Sequence, residues 1–279
     1  MSIELAKKYA DKAQEVFKDE SKTGLVTNQD YDWTGAHTVQ IYKIGTAALN
    51  DYQRNYTGGT GETEQLSRYG SLKDLSATTQ ECVLTKDRSF IFNIDALDAD
   101  ESALKAETAL ARELREVVNP ERDKYIYNKM ATGAGKKPAA IAAVTYASVL
   151  AAIEAMDEAE VPDTDRVLII TPAGYSALKS SLDSNSGTAL TPEQRRSGVI
   201  GYLDGVQVVK VPSSYLPANT GFIMAHPSAT VAPVKLDDYG VHDNTPISSG
   251  TIVTGRICYD AFVLDNKKNG IVYQALTAK

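Results

Sequence analysis

The sequence KDRSFIFNIDALD, residues 86–98, carries the pattern that decides the fold class. Between Phe90 and Ile94 large apolar side chains recur at every second position, which is the period of a half-buried strand. Asp98 is followed three residues later by Glu101, the spacing of a capping box at the start of a helix. A strand that leads directly into a helix predicts a fold of mixed α and β structure.

The helix predicted after this strand is the longest in the chain and covers residues 98–132. Apolar residues from Leu104 to Val118 recur at three- and four-residue steps, as on one face of a helix. Pro120 is predicted to kink or interrupt the helix, because proline lacks the N–H group that a helix interior needs. Helical character then resumes and ends near Gly133.

On the N-terminal side, HTVQIYK (residues 37–43) is predicted to be a second half-buried strand that pairs with residues 86–94. The intervening residues 45–85 contain few large aliphatic residues and many Tyr, Thr, Asn and Gln. Such a connection of about forty residues far exceeds the usual ceiling of about 12–15 for a structureless loop. Its tyrosines are typical of docking surfaces, whereas disordered linkers contain few aromatic residues. We therefore predict a hairpin that projects from the body of the protein.

Helices and strands are predicted to alternate in much of the remaining sequence. The first residues, 2–20, have an apolar stripe at helical spacing, which predicts a surface helix followed by an extended arm. A helix is predicted over residues 145–159 and a buried strand over 166–170. Thr171 and Pro172 then give the N-cap and first-turn signals of another helix.

Two β-pairs are predicted near the C-terminus. Asp204 and Gly205 separate two apolar runs within residues 199–211, which is the strongest short-range signal for a hairpin. Residues 251–264 and 270–274 are predicted to form a closing β-pair, joined by a short polar loop.

Composition describes a globular protein of 279 residues, with 43% hydrophobic and 23% charged residues. The formal net charge is −7 and the acidic excess is shared by both halves, so neither half is a basic arm for nucleic acid. No apolar stretch reaches the roughly 20 residues that cross a bilayer, and the N-terminus lacks a secretory pattern. The two cysteines, Cys82 and Cys258, have no pairing pattern, which suits a reducing compartment. We therefore expect no membrane association and no export.

The sequence contains no convincing catalytic motif. Ser176 follows a predicted buried strand, but Leu178 stands where a hydrolase nucleophile elbow needs glycine. Gly135 and Lys136 lack both the earlier glycine and the following hydroxyl of a phosphate-binding loop. Acidic residues on a loop usually only face water, and this also applies to the best metal candidates. These candidates are Asp237, Asp238, His242 and Asp243. We predict no enzyme activity, no cofactor and no metal site.

The order of these segments resembles that of a tailed-phage major capsid protein with the Hong Kong 97-type capsid fold. The resemblance covers nearly the whole chain and begins with the amphipathic N-terminal segment. It continues through KDRSFIFNIDALD, AETALARELREVVNPERDKYIYNKMATGA, DGVQVVKVPSSYLP and GRICYDAFVLDNKKNGIVY. Each motif alone is loose, but their order along one chain is fairly specific.

The resemblance implies an α+β fold with four parts. An N-arm would lie along a neighbouring subunit, and an extended β-hairpin, the E-loop, would reach over the adjacent subunit. A P-domain would contain the long spine helix, and an A-domain would point at the centre of each pentamer or hexamer. The implied bounds are 1–35 for the N-arm, 36–95 for the E-loop, 96–139 and 228–256 for the P-domain with spine helix 98–132, and 140–227 and 257–279 for the A-domain.

The same resemblance implies that the chain self-assembles into pentamers and hexamers of an icosahedral or elongated phage head that encloses double-stranded DNA. The protein would belong to the virion, assemble in the host cytoplasm and enclose DNA without sequence-specific binding. Scaffolding, portal and decoration proteins are its possible partners. The predicted contacts between subunits lie in the E-loop. They are Tyr42, Tyr52, Arg54, Tyr56, Arg68 and Tyr69.

Two other interpretations remain open from the sequence. An encapsulin-type nanocompartment shell has a similar architecture and length, but such shells usually lack so long an N-arm together with a polar E-loop tip. A cytosolic α/β enzyme or binding protein would have to explain a forty-residue polar hairpin that has no partner, and three scattered histidines. Both fit the sequence less well than a viral shell protein.

Overall fold

The computed structural model describes residues 21–28, 30–31, 38–52, 54–55, 68–70, 74–95, 106–184, 201–243 and 249–277. The chain divides into two compact units. One unit, Ala36–Val83, is called the hairpin unit here; the other, the main body, combines Met1–Gly35 with Leu84–Lys279. Both helices and strands are present, which confirms the predicted α+β class. No helix in these described ranges is long and apolar enough to cross a membrane.

The elements of the described residues are numbered in chain order. The strands are β1 (Thr38–Ile44), β2 (Ala77–Val83), β3 (Lys86–Asp95), β4 (Val167–Ile170), β5 (Tyr202–Leu203), β6 (Val206–Lys210), β7 (Thr220–Ala225), β8 (Thr230–Val231), β9 (Val234–Asp243), β10 (Gly250–Tyr259), β11 (Phe262–Val263) and β12 (Ile271–Ala275). The α-helices are α1 (Ala106–Glu113), α2 (Asn119–Gly133), α3 (Tyr146–Asp157) and α4 (Pro172–Ser184).

A five-stranded sheet with the order β12-β7-β4-β6-β5 forms the centre of the main body. Strands β4 and β6 are parallel, and the other neighbours are antiparallel. Successive side chains of β4 point to opposite faces, and all four are buried. Ile169 packs in one apolar cluster with residues of α2, while Leu168 packs in a second cluster with residues of α3 and α4. Helices therefore cover both faces of this sheet, which explains the uninterrupted apolar run in β4.

The long helix is continuous through Pro120. A π-helical turn, Leu114–Val118, joins α1 to α2, and Pro120 lies in the first turn of α2. A wider turn at this point accommodates the residue that cannot donate a helical hydrogen bond. The helix is therefore not interrupted at Pro120, because a change of hydrogen-bond register accommodates the proline. The alternative, a kink at this residue, stays a prediction. The predicted capping box at Asp98 lies outside the described residues.

A three-stranded antiparallel sheet, β3-β10-β9, forms a second part of the main body. Strand β3 therefore pairs with β10, and the predicted pairing between residues 37–43 and 86–94 is wrong. The partner of β1 is β2, whose sequence ATTQECV was not recognised as a strand. Its residues are mostly polar and exposed, so it lacks the alternating apolar signal on which the prediction depended.

The predicted closing pair between residues 251–264 and 270–274 is also wrong. Strand β10 ends at an irregularity between Cys258 and Tyr259, and the chain then enters β11, which pairs with β8. Strand β12 pairs with β7 in the five-stranded sheet. Sequence periodicity located these strands but could not assign their partners, because it carries no information on long-range pairing.

The local signals for chain reversal and helix starts were reliable. Asp204 and Gly205 both have positive φ and join β5 to β6, as the hairpin prediction requires. Thr171 caps α4 by accepting a hydrogen bond from the Gly174 amide at 3.1 Å. Thr145 caps α3 in the same way.

The N-terminal segment packs against its own chain where it is described. Val26 is fully buried in the cluster that contains α2, and the Asn28 amide donates to the Thr230 carbonyl at 2.9 Å. That residues 1–35 also lie along a neighbouring subunit stays a prediction. The helix predicted over residues 2–20 lies outside the described residues.

Candidate assembly surface

The hairpin unit exposes one face of its two-stranded ladder. Directly opposite residues of antiparallel strands share a face, and Tyr42 lies opposite Thr79 while Ile44 lies opposite Ala77. The side chains of Tyr42 and Ile44 are 72% and 66% exposed. Val39, on the other face, is only partly exposed. The exposed face thus presents an aromatic and an aliphatic side chain next to small and polar ones.

Toward the tip of the hairpin unit, residues from the two sides meet. The rings of Tyr52 and Tyr69 contact edge to face, with 5.2 Å between their centroids. The Asn50 side-chain amide donates to the Tyr69 carbonyl at 3.2 Å. Gly70 has φ of +98°, and a Cβ there would meet the Asn50 side chain at 2.6 Å, so the close approach needs glycine. These contacts hold two exposed tyrosines in a fixed pair.

Five of the six predicted contact residues are described, and all five are exposed. The structure brings Tyr52 and Tyr69 together, whereas Tyr42 lies on the strand ladder. Arg54 and Arg68 are exposed near the two tyrosines in sequence, and Tyr56 lies outside the described residues. That these residues contact another subunit stays a prediction.

Sequence reasoning missed the aliphatic part of this surface. Ile44, Leu49 and Leu75 are all largely exposed, and Leu49 is completely so. The available signal was the isolated large aliphatic residue in an otherwise polar segment. The prediction of contact residues relied on the tyrosines and arginines and did not use this signal. The hairpin unit therefore exposes more large apolar side chains than the sequence analysis indicated.

The main body holds the chain firmly at the point where it leaves the hairpin unit. Leu84 is buried, and Thr85 donates twice to Oδ2 of Asp260, from its amide at 2.9 Å and its hydroxyl at 2.7 Å. The other carboxylate oxygen accepts the Tyr125 hydroxyl and the Ala261 amide, each at 2.7 Å. Burial opposes ionisation of Asp260, but these hydrogen bonds outweigh burial and lower its pKa. The group is thus an ionised, fully hydrogen-bonded anchor, called the Asp260 anchor below.

The next two residues are also fixed to the main body. The Lys86 ammonium lies 5.1 Å from the centroid of the Tyr125 ring, a cation–π contact. Asp87 accepts two hydrogen bonds from the Arg256 guanidinium, at 3.0 and 2.6 Å, and this bidentate pairing lowers the pKa of the Asp87 carboxyl. Both members of the ion pair are exposed, so it orients β3 more than it stabilises the fold.

The residues considered above as catalytic, phosphate-binding or metal-binding candidates lie in separate parts of the fold. Ser176 lies on the exposed side of α4 and donates to the Pro172 carbonyl, as helix serines do. Lys137 donates to the Thr132 carbonyl at the end of α2, which is the behaviour of a basic residue at a helix terminus. The four metal candidates lie on β9 or its end rather than on a loop. Within the described ranges no three His, Cys, Asp or Glu residues are placed to hold a metal ion.

The sequence was compared with protein families and with curated proteins. The sequence matches the family described as phage capsid protein over residues 79–271. No curated protein sequence matches this chain.

Several solved structures have the same fold. That of Mycobacterium phage Che8 has a TM-score of 0.74 and 19% identity, covering 97% of this chain and 96% of the other. The capsid structure of cyanophage P-SCSP1u has a TM-score of 0.73 and 13% sequence identity, and the match covers 99% of this chain and 94% of the other. The mature capsid of bacteriophage PhiM1 has a TM-score of 0.68 and 12% sequence identity, and the match covers 99% of this chain and 93% of the other.

Proposed function

The chain belongs to the phage capsid protein family and is a major capsid protein with the Hong Kong 97-type fold, and from this premise we propose that its hairpin unit joins neighbouring subunits of the shell. It is a structural protein of the virion, and its family assembles into multimeric shells. The family match and the structural neighbours favour neither the encapsulin nor the enzyme interpretation.

The exposure of large apolar side chains on the hairpin unit is the observation that carries this proposal. A two-stranded hairpin alone is marginally stable in water, because it has one layer and no core. Here Tyr42, Ile44 and Leu49 remain exposed on such a hairpin. Isolated apolar residues on a surface are ordinary, but several large ones exposed on one two-stranded element mark an interaction site. A second copy of the chain supplies the missing layer.

The division of the chain refines the proposed domain bounds. We assign the E-loop to residues 36–83 rather than 36–95, because β3 pairs within the main body. The P-domain then comprises the β3-β10-β9 sheet with the spine helix. The A-domain comprises the five-stranded sheet with α3 and α4, and residues 1–35 remain the N-arm. In this scheme the spine helix also packs on the A-domain sheet, so the two domains share a core.

The assembled state proposed here is a closed phage head of pentamers and hexamers that encloses double-stranded DNA. Many modest, partly polar contacts of one subunit with its neighbours suit a protein that must stay dissolved until it meets its copies. The net charge of −7 disfavours tight binding of the enclosed DNA by the wall. Assembly in the host cytoplasm, with scaffolding, portal and decoration proteins, and the absence of catalysis belong to the same proposal.

The test compares two variants on the same face of β1. The double variant Tyr42→Ser with Ile44→Ser removes the apolar contacts, whereas the control Gln40→Ala changes a polar residue of that strand and face. We expect the control to form shells and the double variant to remain as dissociated subunits with unchanged secondary structure. Electron microscopy and native mass spectrometry of purified protein measure the difference. Normal shells from the double variant would refute the role given to the hairpin unit.

A further inference from the structure

We propose that Arg122, in a cleft between the N-terminal segment and helix α2, binds the carboxylate of an Asp or Glu side chain from a second copy of this chain. The inference rests on the proposed function, because assembly into a shell is what brings a second copy against this surface. It adds to that function a polar contact site on the main body.

The cleft lies where three parts of the main body meet. One side is formed by residues of the segment 21–27, another by Arg122 and Ile126 of α2, and the third by residues 232–234 together with residues 259–260. Its volume is about 260 Å³, several times the roughly 30 Å³ that a water molecule takes up in the liquid. A carboxylate side chain therefore fits into it.

Arg122 is the only basic residue among the described residues that line the cleft. Its guanidinium has five N–H donors and no acceptor. Within the described ranges it makes no hydrogen bond and no ion pair, although its Nε atom is buried. Native structures rarely leave a buried donor unpaired, because the lost hydration is then not replaced. The donors of Arg122 therefore indicate an acceptor that comes from another molecule.

The hydroxyl groups of the cleft are already used within the chain. Ser21 and Thr23 donate to Oδ1 of Asp123, at 2.8 and 3.2 Å. The Thr27 hydroxyl donates to the Thr23 carbonyl at 3.0 Å. These bonds attach the N-terminal segment to α2 and hold that side of the cleft in place, so the Arg122 guanidinium remains as the donor for a ligand.

Two carboxyl groups of the chain lie close to Arg122, but neither pairs with it. Asp123 follows Arg122 on α2, where adjacent residues do not face each other, and burial raises the pKa of its carboxyl. Asp260 lines the cleft, but its two oxygens already accept the four hydrogen bonds of the Asp260 anchor. The Lys129 ammonium also lies 3.8 Å from this carboxylate. The charge of Arg122 is thus left for an anion from outside.

A carboxylate is the anion that suits this site and this protein. Its two oxygens match the planar guanidinium and form two parallel hydrogen bonds with it. The chain has 36 acidic against 29 basic residues, so every neighbouring copy offers carboxylates in excess. A phosphate of the enclosed DNA is also an anion, but the net charge of −7 opposes its approach to the wall. We therefore assign the contact to protein and not to nucleic acid.

The test compares two substitutions that each remove one positive charge from the same helix. Arg122→Met removes the guanidinium but keeps a long unbranched side chain, and Lys124→Met is the matched control at an exposed position of α2. Arg122→Lys retains the charge but not the paired N–H groups. All variants are studied as the full chain. Urea denaturation measures the stability of dissociated subunits, and titration measures the subunit concentration at which shells form without DNA.

We expect Arg122→Met to raise the concentration needed for shell formation by about tenfold, the factor for a lost hydrogen bond to a charged group. Lys124→Met should raise it by less than about threefold, as for an exposed charge, and Arg122→Lys should lie between the two. Arg122→Met should not lower the free energy of unfolding of the subunit, since the buried Nε has no partner within the described ranges. In wild-type shells, electron cryo-microscopy should place a carboxylate of a neighbouring copy within about 3 Å of the guanidinium.

Three results would overturn the inference. If Arg122→Met destabilises the dissociated subunit more than Lys124→Met does, Arg122 has a partner within its own chain. If the two variants form shells equally well, the site contributes nothing to assembly, while the proposed function stands. If Arg122→Met assembles normally without DNA but its shells hold DNA less firmly, the ligand is a phosphate of nucleic acid. Wild-type protein that forms no shells would instead refute the proposed function itself, and this inference with it.

Discussion

The five-stranded sheet and the hairpin unit use the same β-structure with opposite outcomes. In β4 every side chain is buried, because helices cover both faces of its sheet. In β1 the residues on one face stay exposed, including Tyr42 and Ile44. The first region is complete within one chain. The second has no second layer among the described residues, which is what a subunit of a shell requires at its point of contact.

The contrast between buried and exposed strands indicates that different residues determine the stability of the single chain and its assembly. Truncating a buried side chain removes contacts that the single chain makes, so its cost appears in the free energy of unfolding. Truncating an exposed hairpin side chain removes contacts that only the assembled shell makes. The predictions below follow this gradient from the centre of the main body outward.

The largest loss of stability is expected for Leu168→Ala and Ile169→Ala, which truncate neighbouring residues on opposite faces of β4. Each should lower the free energy of unfolding by about 2–5 kcal/mol, because both side chains are fully buried. Urea denaturation of the dissociated subunit measures this. Leu150→Ala on the exposed side of α3 is the control and should cost clearly less. A tolerated substitution on one face would mean that this face is not a packed core.

A smaller loss is expected for Gly255→Ala in the three-stranded sheet. The rings of Phe90 and Tyr239, from the strands on either side, lie with centroids 6.1 Å apart, and Gly255 is paired with both residues. An added Cβ would collide with the Phe90 ring, so the ring must move. We expect a loss of about 1–3 kcal/mol, as for other overpacked sites.

The control for this substitution is Gly201→Ala, since a Cβ at Gly201 meets nothing within 4 Å. Comparing the two denaturation midpoints isolates the collision from the general effect of replacing glycine. Equal midpoints would show that the Phe90 ring moves aside without cost.

A pH-dependent effect is expected at Asp123, where the N-terminal segment meets α2. Burial raises the pKa of this carboxyl, and hydrogen bonds from Ser21 and Thr23 and the charge of Arg122 offset only part of the rise. The folded protein therefore holds this proton more tightly than the unfolded chain. The contribution of Asp123 to stability falls as the pH rises from 3.8 through the raised pKa.

Urea denaturation between about pH 4 and pH 7 tests this linkage. Relative to Asp123→Asn, wild-type protein should lose stability as the pH rises within that range. Asp260 has the opposite sign, since its lowered pKa makes its contribution present above 3.8 and lost as the pH falls through the folded pKa. A constant difference between wild type and Asp123→Asn would contradict the assigned shift.

The smallest effect on unfolding is expected for Tyr42→Ala. Its side chain is exposed in the single chain, so the free energy of unfolding should change by less than about 0.5 kcal/mol. Denaturation of dissociated subunits checks this value. A loss comparable to that of Leu168→Ala would mean that the hairpin unit is part of a core, and the contrast between the two regions would disappear.

The parts of the fold that could be predicted are those set by nearby residues. The buried strand at Val167–Ile170, the helix start at Thr171 and the turn at Asp204 each depend on a few adjacent side chains. The pairings of β1 with β2 and of β3 with β10 join distant segments, and the periodicity of either strand is compatible with several partners. Local sequence patterns therefore identified individual strands and helices but not which strands pair with each other.

The candidate site shows the same limit. Exposed tyrosines in a polar segment could be recognised, because their composition differs from that of a linker. Asp260 could not, since its partners Thr85 and Tyr125 are separated from it by more than half and nearly half of the chain, respectively. A single acidic residue inside the apolar run RICYDAFVL was the one available hint.

The attachment of the N-terminal segment also sets an order of events during synthesis. Asn28 bonds to Thr230 and Val26 fills a cluster that includes Ile271, so these early residues find their places only after the last quarter of the chain has left the ribosome. Until then the nascent polypeptide lacks its finished body and displays unsatisfied apolar surface.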